Sequence, residues 1–96
     1  MKLDTRIDAF SKLGLLLQNY IDSPNTDSNF SQKLTNVIRK AELQNAWFTP
    51  IHVKNAISAW ADALKKEKLT NWLSTYSHSN DNPQRTAVIM AGNIPL

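Results

Sequence analysis

Residues 45–64 read NAWFTPIHVKNAISAWADAL, and this stretch decides what kind of fold the chain builds. Thr49 followed by Pro50 is a helix-start signal. The threonine side chain can accept a hydrogen bond from a free N–H of the first turn, and proline has no N–H to leave unsatisfied there. Val53, Ile57, Trp60 and Leu64 then recur every three or four residues, which places them on one side of a helix. Trp47 and Phe48 stand just before the cap, where either can pack back on the helix as a hydrophobic staple. The stretch predicts a helix from Pro50 to about Leu64.

Working outward, the flanking segments carry the same period. From about Asp4 to Ile21, the residues Ile7, Phe10, Leu13, Leu17, Tyr20 and Ile21 mark an apolar face, which Leu15 and Leu16 widen. Asp4 or Thr5 is the expected cap, and Asp8 lies three residues after Thr5 as in a capping box. Gly14 either weakens this helix locally or admits a close neighbour. Residues 22–29, DSPNTDSN, are turn-forming types and read as a loop. A second helix is expected from about Asn29 to Gln44, capped by Ser28 or Asn29, with Phe30, Leu34, Val37, Ile38 and Ala41 buried. KKEK at 65–68 marks a helix end or a bend. A short fourth helix follows, with Leu69, Trp72, Leu73 and Tyr76 on its face.

Composition narrows the function classes. Ninety-six residues make at most one small domain, and 42% hydrophobic content with three Trp is enough for a core. There is no Cys, so this stretch holds no disulfide, thiolate metal site or Cys nucleophile. No apolar run approaches a membrane span. The opening MKLDTRIDAF carries acids and no apolar core, so it is not a secretion signal. Both observations suit a cytoplasmic protein. The net charge is +3, but lysines and arginines are interspersed with acids, which reads as a solvated surface with a mild basic bias. No nucleic-acid partner is expected. His52 and His78 read as surface or structural histidines, and without a second ligand at suitable spacing no metal site is expected. Trp47, Trp60 and Trp72 are expected to pack in the core.

Residues 77–85, SHSNDNPQR, form a polar linker, after which the helical period stops. Residues 86–96 read TAVIMAGNIPL. Thr86 to Met90 is a short apolar, β-branched run expected to be a strand buried on both faces. Ala91 to Asn93 reads as a tight turn, and Ile94, Pro95 and Leu96 as a helix start. No earlier segment offers the strand a partner, so its neighbours are expected beyond Leu96 or on another chain. A buried strand, a tight turn and a helix N-terminus is how α/β enzymes build ligand sites. Gly92 would let cofactor or substrate approach its backbone, and Asn93 offers an amide at that rim. Asn93 is equally the kind of residue chosen for turn propensity alone. The dinucleotide fingerprint G-x-G-x-x-G is absent.

The segment AVIMAGNIPL resembles the start of the cofactor-binding domain in the aldehyde dehydrogenase superfamily, where a strand runs into a turn carrying Asn, one residue, then Pro-Leu. Its Ala-Gly-Asn-Ile-Pro-Leu form is most similar to the acyl-CoA reductase branch, which includes the fatty-acid reductases of bacterial bioluminescence. NAWFTPIHVKNAISAWADAL followed by NWLSTY also resembles the helical N-terminal region of those reductases. The resemblance covers most of the chain from Asn45 onward, and the two earlier helices more loosely. It implies a parent enzyme of α/β, aldehyde-dehydrogenase-like fold that reduces a fatty acyl-CoA to the aldehyde with NADPH or NADH. It implies that Asn93 donates its amide to the oxyanion, and that Ile89, Met90, Ala91 and Gly92 line the nicotinamide end of the cofactor. The family's catalytic Cys is absent here, and no general base can be assigned.

The expected architecture is mainly α, with about four helices and one terminal strand. Residues 1–76 would be the N-terminal helical region, 77–85 a linker, and 86–96 the first strand and turn of a truncated cofactor domain. Such a fragment would be inactive alone. Its partners would be the remainder of its own chain, a second subunit in a homo-oligomer and, for the parent, the fatty acyl-CoA. The competing expectation is a self-contained helical interaction module whose apolar C-terminal strand adds to a partner's sheet edge.

Overall fold

The described residues form four helices: α1 (Leu3–Asp22), α2 (Asn29–Gln44), α3 (Pro50–Ala63) and α4 (Lys66–Leu73). The computed structural model describes residues 2–24, 27–77 and 84–90. Among these residues the fold is all-α, with no strand.

Two of the helix starts follow from their caps. The Ser31 N–H donates to Ser28 Oγ at 3.1 Å at the head of α2, and the His52 N–H donates to Thr49 Oγ1 at 3.3 Å at the head of α3. Pro50 takes the first helical position, where its missing N–H costs nothing. The expected cap of α1 is not used. The helix begins at Leu3 after Lys2, which makes no side-chain cap, so Asp4 and Thr5 lie inside the first turn. Asp4 there still faces the positive end of the helix dipole. Asp8 is turned to another purpose and pairs with Lys66 of α4.

The main seam runs between α1 and α3, and α4 lies against α1. Small residues set the distance of closest approach. Gly14 of α1 and Ala61 of α3 are both buried, and a methyl group added at Gly14 would come within 2.8 Å of the Leu64 Cβ. A glycine inside a helix costs about 1 kcal/mol relative to alanine. Here the close neighbour accounts for it. The buried core among the described residues is small: Ile7, Tyr20, Ile38 and Ala61, with Ser31 as the buried polar residue. Tyr20 is the largest, and its hydroxyl meets Thr35 Oγ1 of α2 at 3.0 Å. That pair carries the polar end of a buried ring across to the next helix, and among the described residues no buried side-chain polar atom is left unpaired.

The break at residues 64–65 separates α3 from α4; of the KKEK run expected to mark it, Lys65 lies in the break and Lys66, Glu67 and Lys68 already begin α4. Three ion pairs hold α4 in place. Lys66 Nζ donates to Asp8 Oδ1 at 2.7 Å, Lys65 pairs with Asp62 at 2.9 Å, and Lys68 also pairs with Asp62.

One expectation needs correction. The three tryptophans do not form the core: Trp47 is 75% exposed, Trp60 46% and Trp72 61%. Phe10, Leu13, Val37 and Tyr76, also expected inside, are exposed as well. Their helix faces are real, but three neighbouring helices do not close around them. Thr86–Met90 is the segment expected to pair beyond Leu96 or on another chain. Residues 84–90 are in neither helix nor strand and are all exposed. A strand is held by its ladder to a neighbour, and the described residues contain none to pair with.

Candidate functional site

The sequence places its site on a turn, and the structure can be read for only part of it. Ala91, Gly92 and Asn93 lie outside the described residues, as does His78. Ile89 is 99% exposed and Met90 50% exposed. Both lie in a segment, residues 84–90, that is exposed along its length.

What the helices do bring together is an apolar groove of about 820 Å³ between α1, α3 and α4. Ile7 and Phe10 come from α1, Trp60 from α3, and Leu69, Trp72 and Leu73 from α4. These are the residues whose period marks them as core. The groove exists because α4 is only eight residues long and reaches one end of α1, leaving the aromatic side chains without a cover. Trp72 and Tyr76 meet edge to face at 6.1 Å, so the aromatic surface continues past the end of α4. Arg6, Asp62 and Lys68 supply the polar side of the groove.

Charge at this rim is largely neutralised in place. Asp62 accepts hydrogen bonds from Lys68 and Lys65, and these hold its carboxyl down to about 2. The Lys66 hydrogen bond likewise lowers the Asp8 pKa, and the Asp8 carboxylate raises that of Lys66 in return. All of these groups stand in solvent, where such pairs contribute little to stability. They orient α4 rather than form a reactive centre. Another, smaller concavity of about 470 Å³ is lined by Gly14, Leu15, Leu64, Lys65 and Lys66, among others.

His52 lies on the surface, and its Nδ1 is 3.4 Å from the Trp47 carbonyl oxygen. That contact turns the ring back onto the loop before α3, consistent with a structural histidine. Among the described residues there is no group of three His, Cys, Asp or Glu side chains placed to hold a metal ion. No described helix is long and apolar enough to cross a membrane. The groove was hidden in the sequence because periodicity marks a face but does not say whether another element comes to cover it. The one available signal was the aromatic content of that face, with Phe10, Trp60 and Trp72 carrying far more apolar area than a four-helix chain this short can enclose. Comparison with known proteins adds no assignment: no family model, no curated protein and no solved structure matches the chain.

Proposed function

We propose that this chain is the helical N-terminal part of an acyl-CoA reductase, and that residues 86–96 are the first strand and turn of its nicotinamide-cofactor-binding domain. The parent enzyme converts a fatty acyl thioester to the aldehyde with NADPH or NADH. The residue pattern of AVIMAGNIPL, preceded in order by the NAWFTPIHVKNAISAWADAL and NWLSTY segments, is the ground for the family. The observation that carries the reading in the structure is the exposure of the apolar run Ala87–Met90. Four consecutive apolar side chains in water are unfavourable by roughly 25 cal/mol for each Å² that a neighbour would cover. A central strand of a larger sheet supplies such cover on both faces. The open groove on the helical body fits the same reading, as a face for the rest of the enzyme.

Asn93 has the central chemical role in this proposal. Its side-chain amide would donate to the oxygen that becomes negative when a nucleophile adds to the acyl carbonyl. A donor fixed on a rigid turn is pre-aimed at that charge, and removing one typically lowers the rate by about a hundredfold or more. The nucleophile comes from a part of the enzyme outside these residues, since the chain has no Cys.

Exposure of residues 84–90 also suits a second reading, in which the segment adds as a strand to the sheet edge of a separate partner. The two readings part at the reading frame. Following the coding sequence past the codon for Leu96 should show an open frame of hundreds of codons with a Cys in a strand-and-turn setting. A stop codon directly after Leu96 would sink the reductase reading and leave the partner strand, to be tested by pull-down with and without residues 86–96. With the frame open, Asn93→Ala in the full enzyme should lower kcat for acyl-CoA reduction by about a hundredfold or more with the fold intact. Unchanged kcat would remove Asn93 from the mechanism.

A further inference from the structure

We draw no further inference here: the strongest candidate, the apolar groove between α1, α3 and α4 walled by Phe10, Trp60 and Trp72, belongs to the reading already proposed, and nothing in the structure shows what covers it.

Discussion

Two continuous apolar runs in this chain meet opposite fates. Leu15-Leu16-Leu17 sits in the middle of α1, and Ala87-Val88-Ile89-Met90 lies beyond the helical body in no regular structure. Burial does not separate them, because Leu15 and Leu16 are themselves exposed. What separates them is where their backbone partners are. A helix closes each N–H on a carbonyl four residues back, so α1 forms from its own sequence once a few residues such as Ile7, Gly14 and Tyr20 are buried against the other helices. A β-branched run favours extended backbone, and its hydrogen bonds must come from another strand. The first run is a local decision, and the second depends on chain that is distant or separate.

That contrast can be broken at its strongest point first. Tyr20→Ala removes the largest buried side chain and its link to Thr35. Large-to-small changes of this kind cost about 3–5 kcal/mol, a large part of the stability of a small domain. The helical circular dichroism signal should collapse or melt many degrees lower, and retention of the original melting temperature would show that the α1–α2 link is dispensable. Gly14→Ala tests the α1–α3 seam. The added methyl meets the Leu64 Cβ, which sits on the backbone and cannot swing away. Overpacking of this kind costs about 1–3 kcal/mol, partly offset by about 1 kcal/mol of better helix propensity. Chemical denaturation should therefore show a net loss, whereas a gain would mean that the helices are not in close contact there.

Smaller effects sharpen the other side. Asp62 has its pKa depressed in the folded protein, so its contribution is present above the ordinary carboxylate value of about 3.9 and is lost as pH falls toward about 2. Asp8 shifts in the same direction. Melting temperature should decline across that window, slightly because the pairs are exposed. The decline should be shallower in Asp62→Asn and in high salt, and an identical acid profile in that variant would assign the acid sensitivity elsewhere. The smallest effect belongs to the tail. Val88→Asp with Ile89→Asp should leave the unfolding free energy of the helical body unchanged within about 0.5 kcal/mol, measured by chemical denaturation, since exposed positions contribute little. It should raise solubility by removing an apolar strip open to pairing. A marked loss of stability would mean that the tail supports the body after all.

The helical part was readable where the signal is local. Ser28 and Thr49-Pro50 fix two helix starts by chemistry contained within four residues, and the structure uses both caps as expected. The start of α1 was not readable in the same way. Asp4 and Thr5 are good caps, but the helix extends past them to Leu3, whose side chain reaches the groove and is half-buried. Packing there outweighs a cap worth about 1 kcal/mol. The Tyr20–Thr35 pair, 15 residues apart, was beyond any periodic reading, as was the Asp8–Lys66 pair at 58 residues. The candidate site was the least accessible. Asn93 was singled out through a resemblance, and the groove was misread as core because spacing along one helix contains no information about how many others surround it.

The placement of the three tryptophans has an optical consequence. Trp60 and Trp72 look into the groove, and Trp47 stands apart on the loop before α3. Indole emission depends on the water around the ring, so this chain carries two reporters at the open face and one reference away from it. A body that closed over α1, α3 and α4 would shift the colour of the first pair and leave the third as it was.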